Sequence, residues 1–296
     1  MRDFCTISLK TMLAKPPLQT LTYALYIRIA AKHAMPITLT LALYCSAWFL
    51  LIRSLKQRKS QPPIIVPVLL ALALVCHAYG AYSLIATPYG YDFNLFRIAP
   101  LFFWVANLLV LASSIRKPLY NMFVLLLPFT ALSLLCALFF ASASHNVIQL
   151  SSGVLTHIVL SIFAYSTLTI ATIHALILSY QNNQLHNRHA GGLVRLLPPL
   201  QTMEALLFEL LWTGQILLTV AIASGAIFVD NMMAQHLAHK SVFSALAWLT
   251  YSVLLWGRHQ LGWRGNIAVR WTLAGFGFLI LAYFGSKFVL EVLLSN

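Results

Sequence analysis

The sequence predicts an all-α polytopic membrane helical bundle of eight transmembrane helices with both ends periplasmic. Three observations predict it: the composition, the length of the apolar runs and the sorting of the basic residues. Of 296 residues, 60% are hydrophobic and only 8% are charged, with a mean hydropathy of +0.82; soluble domains carry about 25% charged residues. So little polar surface cannot cover a folded chain of this size in water, and lipid is the solvent that fits. The apolar runs lack the period-two alternation of barrel strands, so helices, which satisfy their backbone internally, are the spanning structure.

A membrane helix needs about 20 mostly apolar residues. Such runs fall at 36–52, 64–86, 95–114, 118–140, 154–180, 205–229, 241–257 and 268–293. The first closes at Arg53 and the basic stretch behind it, and the second opens after Pro62 and Pro63 and closes at Pro88. The third opens after Asp92 and closes at Arg116 and Lys117, and the fourth gives way to Ser142 and His145. The fifth opens behind Ser151 and Ser152 and closes at Gln181 and Asn182. The sixth opens behind Glu204 and closes at Asp230, the seventh closes at Arg258, and the eighth follows Gly265. The connections leave no room for a folded soluble domain, so residues 35–296 read as one transmembrane domain.

Lys and Arg are retained on the cytoplasmic side. Eleven basic residues (Arg53, Lys56, Arg58, Lys59, Arg116, Lys117, Arg188, Arg195, Arg258, Arg264 and Arg270) fall in one set of loops and helix ends, against Arg97, Lys240 and Lys287 in the other. The excess puts 53–63, 115–117, 181–204 and 258–267 inside. The net charge of +13 therefore reads as a topology signal and not as a nucleic-acid patch. Residues 1–34 run against it, since Arg2, Lys10, Lys15, Arg28 and Lys32 would lie outside. The stretch Leu18–Ala31 is too short for a span and has neither the core nor the cleavage site of a signal peptide. Met35 is therefore the expected start, with 1–34 an over-extended leader.

Cys45, Cys76 and Cys136 lie in apolar spans without metal-ligand spacing, and with Cys5 they outline neither a disulfide framework nor a zinc site. There is no G-x-S-x-G, no H-E-x-x-H and no phosphate loop, and six carboxylates in all, so no independent catalytic activity is expected. Glu204 reads as a helix-start charge, Glu209 as an interface residue, and Lys287 and Glu291, four apart, as a pair. A transporter would show charges lining a path and repeated broken helices; Arg97, Glu209 and Lys287 are few and peripheral.

The histidines carry more information. His77, His145, His157, His236 and His239 gather on the outer side, while His174 lies deeper and His186, His189 and His259 lie inside. Two outer imidazoles on different helices suit a metal or a haem iron, with Tyr79 and Tyr82 near His77, and Phe163 and Tyr165 near His157, as apolar walls. A lone intramembrane histidine also serves as a packing device between helices. His236 and His239, three apart on one helix face, form a second metal-ligating pair that lacks a third ligand.

The most specific stretch is Trp248, Tyr251, Leu255-Trp256-Gly257-Arg258, Gly262-Trp263-Arg264-Gly265, Gly275-Phe276 and Leu281-Ala282-Tyr283-Phe284-Gly285. This order resembles the end of the cytochrome c assembly family of haem-handling membrane proteins. His157-x-x-x-Ser161-x-x-x-Tyr165 is similar to the family's segment at an external haem-ligating histidine. Cys76-His77 and Pro198-Pro199-Leu200…Met203-Glu204 are most similar to its short stand-alone members of the YpjD/HemX type.

The resemblance covers 35–294 and implies an inner-membrane protein that binds or positions haem b for attachment to apocytochrome c, alongside other cytochrome c assembly proteins. It implies His157 as a haem ligand, with His239 as first choice of partner and His77 as second; Met232 and Met233 are further axial candidates. The chain departs from the family in lacking the tryptophan-rich haem-presenting motif, where Asn231–His239 stand and only Lys240 lines up. Trp256 occupies a position where the family has histidine. A haem-free regulatory or scaffold protein on the same bundle is the alternative.

Overall fold

The computed structural model describes residues 18–57, 62–87, 90–117, 119–140, 147–148, 151–187, 197–228 and 235–285, with side chains from Met35 onward except those of 147–148, 235–239 and 284–285. Among these are eight α-helices: α1 Leu18–Lys56, α2 Ile65–Ile85, α3 Leu95–Ser114, α4 Phe123–Phe140, α5 Ser152–His186, α6 Leu200–Phe228, α7 Gln235–Leu261 and α8 Asn266–Ile280. Seven of them hold a stretch long and apolar enough to cross a membrane, α1 over Met35–Lys56; α7 is the less apolar eighth.

The helices outrun the expected spans. α1 reaches back to Leu18 as one helix across Pro36. α5 runs 35 residues, about 52 Å at 1.5 Å per residue, well past the hydrocarbon core of about 30 Å. Local chemistry sets several ends. The Asn94 side chain accepts the Phe96 N–H at 3.1 Å to open α3, and the Ser151 hydroxyl accepts the Val154 N–H to open α5. A 3₁₀ turn, Tyr120–Met122, leads into α4, and a π turn, Leu281–Gly285, follows α8.

A three-stranded antiparallel sheet was not expected. β1 (Ala86–Thr87), β2 (Gly90–Asp92) and β3 (Val147–Ile148) join the α2–α3 connection to the α4–α5 connection. It marks one end of the bundle, the sheet end. The opposite end carries Arg53, Lys56, Arg116, Lys117, Arg258, Arg264 and Arg270 and is the basic end.

Two large apolar cores fill the interior, and a smaller one joins α3 to α5 through Ile98, Phe102, Val105 and Ile162. The first joins α1–α4 through Tyr44, Leu70, Val110, Leu126 and Leu127, and it also takes in Ile170 and Ile173 of α5 and Leu206 of α6. The second joins α5–α8 through Leu168, Leu207, Leu211, Tyr251 and Leu279. Outward faces are apolar as well, with Val75 and Phe139 each about 70% exposed, as lipid contact requires.

Polar side chains bolt the helices where the backbone lacks donors. Pro128 has no N–H for the Val124 carbonyl one turn before it, and the Trp48 indole of α1 supplies that donor at 3.0 Å. Trp48→Phe is expected to leave this carbonyl unpaired and lower stability by about 1 kcal/mol, read as apparent thermal unfolding in detergent. The Asn107 amide of α3 donates to Thr130 Oγ1 of α4 at 2.7 Å, and the Gln215 amide of α6 to Ser252 Oγ of α7 at 2.7 Å.

Candidate functional site

Of the histidines singled out by the sequence, the one whose side chain is described near the sheet end of α5 is His157. His157 lies in the second turn of α5, half-buried, and faces α6, where small residues let the two helices approach closely. Its Nδ1 is 2.9 Å from the Ala221 carbonyl and 3.2 Å from the Ser224 hydroxyl. A carbonyl only accepts, so Nδ1 carries the proton and donates. Nε2 is left as the lone-pair nitrogen. This is the arrangement that orients ligating imidazoles, in which a second partner fixes the tautomer and the ring. The donor chemistry at His157 thus fits a haem iron.

His77 sits differently. It is fully buried on the face of α2 turned toward α1, with Nδ1 3.1 Å from the Tyr44 hydroxyl and the two rings edge to face at 5.7 Å. Its Nε2 is buried without a hydrogen-bond partner. Tyr79 and Tyr82 do not wall it. They are exposed on the other side of α2, because residues two and five apart on a helix point away from one another. His174 donates through Nε2 to the Met203 carbonyl at 2.8 Å, tying α5 to α6.

His236 and His239 stand on the first turn of α7, and their side chains lie outside the described residues, as do His145, Met232, Met233, Lys287 and Glu291. The helix itself starts at the sheet end, since Lys240 Nζ sits 6.0 Å from the centroid of the Tyr283 ring. Tyr283, Tyr165 and Phe102 form a triad with centroids 5.4 to 6.2 Å apart. It lies on the stripe of α5 that carries His157 and Ser161, and joins α3, α5 and the turn after α8. Among the described residues, no cluster of three or more His, Cys, Asp or Glu could hold a metal ion.

The other face of α5 borders an apolar cavity of about 270 Å³. Leu155, Ile158 and Ile162 line it together with Tyr82, Tyr91 and Trp104. Asp92 and Arg97 close the adjoining loop with a contact of 3.2 Å, and the Arg97 guanidinium also donates to the Leu84 carbonyl at 2.9 Å. That carbonyl is one of those the end of α2 leaves unpaired.

At the basic end the Gly262-Trp263-Arg264-Gly265 loop is held from α6. Glu204, buried, accepts the Gly265 N–H at 3.0 Å through one oxygen and faces Arg264 Nε at 3.3 Å through the other. The two loop glycines have φ of +66° and +56°, where a side chain would strain the backbone. Trp263 lies on Gly257 and stacks on Trp271 at 5.4 Å, and Arg258 lies over the Phe208 ring at 4.6 Å. Glu209 of α6 pairs with Lys117 in the connection that follows α3. Sequence spacing showed neither the role of Glu204 nor the partners of His77 and His157, because all of these contacts join residues at least 33 positions apart.

The pattern of the cytochrome C assembly protein family matches residues 40–294. The inner membrane protein YpjD of Escherichia coli K12 is 30% identical over 264 residues, 88% of this chain and the whole of that protein. An uncharacterised 28.8 kDa protein of Azospirillum brasilense is 30% identical over 141 residues, 47% of this chain and 52% of its own length. The HemX protein of Brevibacillus brevis is 26% identical over 137 residues, 46% of this chain and 50% of its own. No solved structure matches. With its membrane-crossing helices, the match to YpjD places this chain in the inner membrane as a multi-pass protein.

Proposed function

The chain belongs to the cytochrome c assembly protein family, and from that premise we propose that it binds or positions haem in cytochrome c-type biogenesis. The observation that carries this reading is His157, whose Nδ1–H is engaged by Ala221 and Ser224 and whose Nε2 is thereby the ligating nitrogen. Haem b supplies an iron that takes axial imidazole. The chain's own residues supply the orientation of that imidazole. His239 is the first candidate for the second ligand, as it shares the sheet end with His157, and His77 is the second. Apocytochrome c and other assembly proteins are the expected partners.

The same reading has all eight helices crossing, with the basic end cytoplasmic and both ends of the unit periplasmic. Two contacts support a crossing by α7. α6 finishes at the sheet end, where Ser224 meets His157, and α8 starts at the basic end, where Asn266 meets Asn182. The segment between them has to connect one end to the other. Seven basic residues on described segments of the basic end, against Arg97 and Lys240 at the other, support the orientation.

A haem-free scaffold is favoured by one observation: among the described side chains no second histidine stands beside His157, and His77 is occupied with Tyr44. An absorption spectrum separates the two. The full chain, expressed with haem supplied and purified in detergent, is expected to show a Soret band and reduced-form bands of bis-imidazole ligation. His157→Ala is expected to lose them, and His239→Ala to shift them toward a single-histidine spectrum. Absence of Soret absorbance in the unaltered protein would overturn the haem reading in favour of the scaffold.

A further inference from the structure

The second half of the bundle is a ring of four helices: α5 packs on α6, α6 on α7, α7 on α8 and α8 on α5. α5 and α7 stand diagonally across it, and both begin at the sheet end. His157 is the sixth residue of α5 and Lys240 the sixth of α7, so each stands in the second turn below that end. Burial changes along the helices of this ring. At depth, Ala164, Leu168, Tyr251 and Leu279 are fully buried. Toward the sheet end, His157, Ser161, Tyr165, Lys240 and Tyr283 are each only partly buried. α5, α7 and α8 thus become accessible as they near the sheet end, at the level of His157.

One aromatic ring links the two sides. Tyr283 takes the Lys240 ammonium at 6.0 Å from its centroid and meets the Tyr165 ring of α5 at 6.2 Å, inclined by 67°. Tyr165 lies two turns below His157, and long side chains on a helix lean toward its N-terminus, here toward His157. A cation among rings and partly withdrawn from water attracts an anion more strongly than one in bulk solvent. Arg97, the other described cation of this end, is committed to Asp92 and to the Leu84 carbonyl and belongs to α3, outside the ring of α5 to α8. The imidazole with its lone-pair Nε2, the flat apolar rings and the ammonium are together complementary to one kind of molecule: a planar metal-bearing ring system with a carboxylate on its edge.

We propose that Lys240 is the carboxylate-binding residue of the sheet-end site, its ammonium holding an acidic side chain of the porphyrin that His157 ligates. The assignment rests on the haem reading above and adds selectivity to it: the site prefers a tetrapyrrole with free carboxylates to the same ring with those groups neutralised. Lys240 acts on the edge of the ring and His157 on its iron, so the two contributions separate when either the iron or the carboxylate charge is removed from the ligand.

Titration of the full chain in detergent with haem b, haem b dimethyl ester and iron-free protoporphyrin IX tests it, read by quenching of tryptophan fluorescence. Lys240→Gln is expected to weaken haem b and protoporphyrin IX about tenfold, the loss of one hydrogen bond to a charged group, and to leave the dimethyl ester unchanged. Lys240→Arg, which keeps the charge, is expected to retain most of the affinity. Equal binding of haem b and its ester by the unaltered chain, indifference of haem b to Lys240→Gln, or an equal loss of acid and ester in that variant would each overturn the assignment. Failure of the haem reading looks different: protoporphyrin IX then binds as tightly as haem b and still depends on Lys240, while His157→Ala changes neither. Binding of no porphyrin at all overturns both. Circular dichroism and gel filtration of each variant confirm that what is titrated is folded.

Discussion

Gly275→Val is expected to disrupt the second half of the bundle, lowering apparent stability in detergent by about 3 kcal/mol or costing recovery of monodisperse protein. A Cβ at position 275 would stand 2.7, 2.9 and 3.0 Å from Cζ, Cε1 and Cε2 of Tyr251. That ring is fully buried in the α5–α8 core, so it has no solvent to swing into and α7 and α8 must separate. Gly277, on the same helix, is the control, because a Cβ there meets nothing within 4 Å. Gly277→Ala is expected to be tolerated or to stabilise slightly through helix propensity, by about 1 kcal/mol at most. Thermal unfolding followed by gel filtration reads both, and equal behaviour of the two variants would sink the packing argument.

Glu204→Ala is the second large effect, expected to cost about 3 kcal/mol. It removes the acceptor of the Gly265 N–H and the partner of Arg264 from a buried position, where hydrogen bonds to a charged group are worth more than neutral ones. Glu204→Gln retains an acceptor for the N–H and is expected to cost about half as much. Arg264→Ala is expected to cost under about 1 kcal/mol, since that side chain is exposed and solvent screens it. The ordering of the three, read as apparent melting temperatures in one detergent, is the check. An Arg264→Ala loss as large as that of Glu204→Ala would mean that the ion pair, and not the backbone contact, holds the loop.

The bundle was legible because hydropathy reports the solvent of each residue, and here the solvent is lipid. The stretches around 64–86 and 95–114 correspond to α2 and α3 almost residue for residue. Hydropathy failed where helices continue into water. Gln181 to His186 reads as loop by composition yet extends α5, with the Gln181 amide donating to the Pro198 carbonyl at 2.8 Å. The strands β1 to β3 were missed because two- or three-residue pairings leave no periodicity to detect.

At the site, His157 stood out as an outer-side histidine inside an apolar span, and its spacing to Ser161 and Tyr165 added a resemblance to the family's segment. The partners that give its imidazole a direction are 64 and 67 residues away, and nothing local in Ala221 or Ser224 distinguishes them from other small residues. The same limit applies to Trp48. Pro128 announces that the Val124 carbonyl is in need of a donor, but not that it comes from α1.

The first core draws on Ile170, Ile173 and Leu206, which bears on biosynthesis. The ribosome delivers α1 to α4 before these residues exist, so a nascent four-helix intermediate enters the bilayer with an apolar groove along its inner face and only lipid to fill it. The first half therefore finishes folding only when α5 and α6 arrive.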